Sequence, residues 1–252
     1  MLRGDAKARG GPDGATLGHF VVPSSRLGEL ATSAAELPPS ISVILDRHLG
    51  RALEAVDDFG LVPIASVDAP EGVNVERGDI LETLIGWSTG YGDNCDVYCE
   101  VFGPQTRPDQ IDETVHRLAT IRQTQKNFGA KIPIHGAPTE MIAHTLAECS
   151  RLRVPLKLGA DETRAVGAHG ILNMITAAAI AFRDSDAREA IISALEDEDP
   201  GSFTVDDDAF VWRERRFGAA TIVSVRRELF VAFAAFDPSR PAAQLREVGV
   251  LA

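Results

Sequence analysis

The sequence predicts an α/β protein built on a parallel sheet, as a (β/α)8 TIM-like barrel, with an open doubly wound parallel sheet as the alternative. Three observations predict it. Short apolar runs alternate with longer segments of helical period. The runs are apolar on both faces, as strands covered on both sides must be. Eight such runs fall within about 235 residues, the usual size of a (β/α)8 barrel.

The elements follow in order. Residues 1–17 hold four glycines, a proline and mixed charges without an apolar period, and read as a flexible extension outside a single domain of residues 18–252. Strands are expected at Phe20–Pro23, Ile41–Asp46, Val62–Val67, Asp96–Phe102, Ala130–Ile134 and Pro155–Gly159, a poorly marked one within Phe203–Trp212, and a last one at Leu229–Phe236. A helix opens at Pro108 and runs to Asn127, with Ile111, Val115, Leu118 and Ile121 on one stripe and Gly129 beyond its end. A second opens at Ala137-Pro138-Thr139-Glu140. A third, from about Val166 to Phe182, is apolar around most of its circumference and is therefore expected to be buried. Glu196–Asp199 with Pro200-Gly201 reads as a loop.

The net charge of −12, from 37 acidic and 25 basic residues, argues against a nucleic acid or an anionic membrane as partner. No run approaches the 18 to 20 or so apolar residues that span a bilayer, and Met1–Gly18 lacks the apolar core of a signal peptide, so a cytoplasmic location is expected. Cys95, Cys99 and Cys149 are an odd set in a long chain and read as reduced thiols. Dinucleotide, P-loop, zincin and nucleophile-elbow signatures are absent, so no cofactor and no metal is expected.

The positive signal is three ionisable residues inside apolar strands: Glu100 in Val97–Phe102, Lys131 in Ala130–Ile134 and Lys157 in Val154–Gly159. Charged side chains are rarely buried unless paired, so the pattern points them into one shared interior. A lysine held there acts as a base or a Schiff-base nucleophile, and a carboxylate shuttles its proton. A structural Lys–Glu pair, or lysines reaching out between helices, is the other reading. His169 and Asn173, four apart in Gly167–Asn173, are expected on one helix face, His169 as an acid or as a brace for the loop. Arg164 is placed to hold an anionic substituent, and His135, just past the Lys131 strand, is a lesser candidate. His116 and His144 are expected to be solvated on helix surfaces.

Glu100, Lys131, Lys157, His169-Gly170-Ile171-Leu172-Asn173 and the closing Phe233-Ala234-Ala235-Phe236-Asp237-Pro238, followed by Leu245–Leu251, resemble a group of uncharacterised bacterial β/α-barrel-like proteins over roughly Phe20 to the C-terminus. In that group one strand reads Lys-Ala-Thr-Ala-Gly-Leu-His-His, another Lys-x-Arg-x-Gly-Gly, and the helix His-Gly-Phe-Leu-Asn. The resemblance brings Asp237 in beside Arg164, Asn173 and His135 as substrate-binding. Thr163 and Arg164 stand in place of the His pair, and Pro133 and His135 in place of the Arg and first Gly, which implies an altered substrate or lost activity. A looser, fold-level likeness is to class I aldolases of the deoxyribose-phosphate type.

Two functions follow. One is an enzyme, a lyase or isomerase, acting on a small polar or phosphorylated carbonyl compound by lysine-assisted carbon–carbon or proton-transfer chemistry. Lys157 is its nucleophile or base, Lys131 tunes it as a neighbouring like charge, and Glu100 carries the proton. The other is a catalytically silent barrel that binds a ligand or partner protein. The expected partner is a small-molecule substrate, with a homo-oligomer or a partner protein left open.

Overall fold

The computed structural model describes residues 19–32, 37–72, 79–91, 94–103, 106–134, 136–160, 164–206, 208–235, 239–247 and 249. The chain forms two compact units, Met1–Glu100 with Ile121–Gly129, and Val101–Thr120 with Ala130–Ala252. Residues 1–17 lie outside the described residues.

In the first unit the order is β1 (Phe20–Pro23), α1 (Leu27–Ala31), β2 (Ile41–Ile44), α2 (Leu49–Phe59), β3 (Ile64–Ala69), α3 (Ile80–Ser88) and β4 (Asp96–Glu100). The four strands pair in parallel in sequence order. Register sets Val22, Val43, Val67 and Val97 in one row across them, all buried. β-branched side chains fit such a pleated, covered surface. The alternate positions carry Ser42 and Ser66, whose hydroxyls bond each other in the interior. α2 buries Leu49, Ala52, Leu53 and Val56, a stripe of helical period, and Asp79 caps α3 by accepting the Leu81 N–H at 2.7 Å.

The second unit holds most of α4 (Pro108–Ile121) and β5 (Phe128–Pro133), then α5 (Thr139–Leu152), β6 (Leu156–Ala160), α6 (Ile171–Arg183), α7 (Arg188–Leu195), β7 (Phe203–Val205), β8 (Ala209–Trp212), β9 (Arg215–Gly218), α8 (Ala219–Glu228), β10 (Phe230–Ala235) and α9 (Ser239–Glu247). β6 pairs in parallel with β5 on one side and β10 on the other. The described residues thus give seven strands of parallel sheet, an α/β fold, rather than eight.

Two expectations need correction. The seventh candidate strand is two: β7 and β8 pair antiparallel and, with β9, form a separate three-stranded sheet. Asp206 separates the two arms, its Oδ1 accepting the Asp208 and Ala209 N–H groups at 3.0 and 2.8 Å. The third helix starts at Ile171, not Val166, because Gly167 and His169 carry φ of 116° and 62°, which no right-handed helix accommodates. From Ile171 onward it is buried around most of its circumference, as its composition predicts.

Candidate functional site

The lysines meet through strand register. Alternation along β5 sends Ala130 and Ile132 to one face and Lys131 and Pro133 to the other; along β6 it separates Leu156 and Leu158 from Lys157 and Gly159. Lys131 is the register partner of Lys157, and Pro133 of Gly159, so both lysines share one face. Ala232 of β10 stands beside Lys157 on its other side. Lys131 is 6% exposed and Lys157 4%, whereas Pro133, Gly159 and Ala232 are half-buried. That face is therefore more open toward the C-terminal ends of β5 and β6, where α/β sheets place their ligands. Lys131 leans that way: its Cε lies 3.0 Å from where a Cβ on Gly159 would stand.

The segment after β6 folds back onto α6. Ile171 N–H donates to the Arg164 carbonyl and Leu172 N–H to that of Ala165, both at 2.9 Å, so backbone carbonyls satisfy two of the donors that a helix start leaves open. Gln244 of α9 accepts the Ala165 N–H at 2.8 Å. Arg164 is exposed.

His169 and Asn173 do not share a helix face, because His169 precedes the helix in a left-handed conformation. The His169 N–H donates to the Leu195 carbonyl at 2.9 Å, and its Nε2 shares a 3.1 Å hydrogen bond with Thr139 Oγ1. Burial lowers the His169 pKa below the usual imidazole value, against an upward pull from Glu196. Asn173 is fully buried, and its Nδ2 donates to the carbonyls of Ala194 and Asp197 at 2.8 and 2.7 Å. Its amide ties α6 to the end of α7.

In the first unit, the half-buried Glu100 accepts the Glu71 N–H at 2.9 Å. His135 and Asp237 lie outside the described residues, as does Thr163. His116 is exposed, with its Nδ1 2.8 Å from the Asp112 carbonyl. His144 is not simply solvated, since its Nε2 pairs with Asp112 at 2.7 Å. The three cysteines are free thiols and buried; burial pushes Cys95 up to about 12 and raises Cys149 as well. Neither is a ready nucleophile. Among the described residues no group of three His, Cys, Asp or Glu side chains is placed to hold a metal ion.

A polar centre that sequence reading missed surrounds Asp197, 6% exposed. Its Oδ2 accepts from Trp212 Nε1 at 2.9 Å and Arg213 Nε at 3.0 Å, and its Oδ1 from the Asp199 N–H at 3.0 Å. Burial pushes this carboxyl's pKa up, but these bonds, one from Ser202 and the Arg213 charge together hold it below the usual carboxylate range. The only linear trace was the acidic run at 196–199, because its partners arrive from β8 and the turn that follows. A depression of about 370 Å3 lies alongside, lined by Ala190, Ser193, Trp212, Arg213, Glu214 and Arg215, none of them a candidate residue.

No helix among the described residues is long and apolar enough to cross a membrane. In comparisons with known proteins, no protein-family model and no curated protein sequence matches the chain.

Proposed function

We propose that this protein is an enzyme acting on a small polar or phosphorylated carbonyl compound, a lyase or isomerase working through lysine, on a sheet that belongs to the (β/α)8 barrel type and in the bacterial group it resembles. The observation that carries this reading is the register pairing of Lys131 with Lys157 on one buried face that is more open at its C-terminal end. Two amines held at one level of a sheet, on a face that opens toward the strand C-termini, are the arrangement that lysine chemistry on a small carbonyl compound needs.

In the reaction, the Lys157 amine adds to the substrate carbonyl carbon. The carbinolamine loses water, and the resulting iminium takes up the electron pair of the breaking bond at the adjacent carbon. A hydrogen leaves as a proton to a base, or a carbon fragment leaves as a carbonyl compound after its hydroxyl gives a proton to that base. Reprotonation of the enamine and hydrolysis then free the product and Lys157. In the proton-transfer version, Lys157 takes the proton alpha to the carbonyl directly. Lys131 tunes Lys157 as its neighbour, and Arg164 supplies a fixed cationic fork for a phosphate or carboxylate. The proton-carrying part assigned to Glu100 is tested by Glu100→Gln.

The experiment is borohydride trapping with a panel of small aldehydes, ketones and phosphorylated carbonyls, read by peptide mass mapping. Deuterium exchange of the same compounds in D2O accompanies it. An adduct on Lys157, absent from Lys157→Met, is the expected result. Exchange without an adduct selects the proton-transfer version. Neither adduct nor exchange with any compound overturns the proposal in favour of a catalytically silent barrel.

A further inference from the structure

We infer that Gly159 is a positioning residue of the lysine site: its missing side chain forms the slot that holds the tip of Lys131 beside Lys157. This rests on the reading of the lysine face as the reactive one.

Glycine in mid-strand weakens a sheet, and it is ordinarily kept for a left-handed backbone or for a close approach. Gly159 has no positive φ and sits in the regular register of β6, facing Pro133 of β5 and Ala234 of β10. The backbone there accepts any L residue. The close approach is what remains, and it comes from one side chain. A Cβ on residue 159 would stand 3.0 Å from Lys131 Cε and 3.8 Å from Lys131 Nζ, with the Ile132 carbonyl oxygen next at 4.0 Å. Carbon atoms in contact settle at about 3.5–4.0 Å. A methyl group at 159 therefore displaces the end of Lys131.

The direction matters as much as the distance. Lys131 starts level with Lys157, and Gly159 lies two residues farther along β6 on the same face. By lying over Gly159, the Lys131 chain carries its amine past the level of Lys157 toward the half-buried, C-terminal end of the face, where a substrate would enter. The slot thus sets where the second amine stands relative to the reacting one. Gly159 touches no substrate; it acts through Lys131.

The test uses the small number of lysines, Lys7, Lys126, Lys131 and Lys157. In protein carrying 13Cε-labelled lysine, with signals assigned by single Lys→Met variants, Gly159→Ala is expected to shift the Lys131 signal and leave Lys7 and Lys126 in place. An unmoved Lys131 signal overturns the slot. In the trapping assay, Gly159→Ala is expected to slow Lys157 adduct formation about ten- to a hundredfold, in line with the cost of small misplacements. In a Lys131→Met background, the same substitution is expected to change the rate less than twofold, since its effect passes through the Lys131 amine. Equal slowing in both backgrounds, or none in the wild-type background, overturns the positioning role. If Gly159→Ala fails to fold, Lys131→Ala with Gly159→Ala decides: recovery assigns the clash to Lys131, and failure to recover overturns the proposal. A wild-type protein that forms no adduct counts against the Schiff-base reading alone, and the lysine signals still decide the slot.

Discussion

Two regions of the second unit hold ionisable side chains out of water with different neighbours. Around Asp197, the buried carboxylate receives a tryptophan N–H, an arginine and a backbone N–H, so each neighbour answers its charge. Along β5 and β6, register sets Lys131 against Lys157, like beside like. The first arrangement ties α7's trailing loop to the β8–β9 hairpin and is explained by structure alone. The second brings two amines to one level of a buried face, and for that reason the proposed chemistry is placed on the lysines and not on Asp197.

The largest effect that could break this contrast is kinetic. With a substrate in hand, Lys157→Met is expected to lower kcat/KM by about 10²–10⁴-fold, the range of a positioned acid–base group, while Asp197→Asn keeps it within a few-fold. Steady-state kinetics reads both. The reverse ranking would move the site to the hairpin.

Stability is the next measure. Asp197→Ala leaves the Trp212 N–H without its acceptor in a buried place and is expected to cost about 1–3 kcal/mol in urea unfolding. A smaller effect sharpens the same point by pH. The depressed carboxyl of Asp197 contributes stability that is present above about pH 3.9 and is lost as pH falls through its lowered folded value. Asp197→Asn is expected to flatten that acid limb in melts between pH 5 and pH 2.

The smallest effect belongs to His169. Its pKa is lowered in the fold, so its contribution is complete above about pH 6.5 and is lost as pH falls toward the folded value. His169→Asn suits the left-handed backbone and is expected to remove this pH dependence from thermal melts between pH 5 and pH 8. A slope that persists in the variant assigns it to other groups.

Much of the fold was legible because parallel strands announce themselves as apolar runs: Phe20–Pro23 is a strand at those very residues, and the cores of six further parallel strands lie within a few residues of their expected bounds. Lys131 and Lys157 could be singled out because charge inside such a run is rare. What stayed hidden depends on long-range partners or on backbone sign. The hairpin of β7 and β8 reads as one poorly marked strand until pairing separates its arms. The late start of α6 follows from two residues with positive φ, and the glycines at 167 and 170 were the available signal. Gly159 looked like an exit from the strand, because nothing in the linear sequence says that a lysine from the neighbouring strand lies over it.

The carbonyls of Arg164 and Ala165, bonded to the first N–H groups of α6, also bear on the molecule's slow breathing. Helix starts usually fray, and their amides trade protons with solvent far faster than those of the interior. Here the amides of Ile171 and Leu172 cannot exchange until the preceding turn lifts away, and that turn is itself anchored through Gln244 to α9. The stretch from Arg164 through the first turns of α6 is therefore expected to open as one cooperative piece, read by amide hydrogen exchange. An exposed arginine is thereby carried on backbone bonded directly to the start of a buried helix.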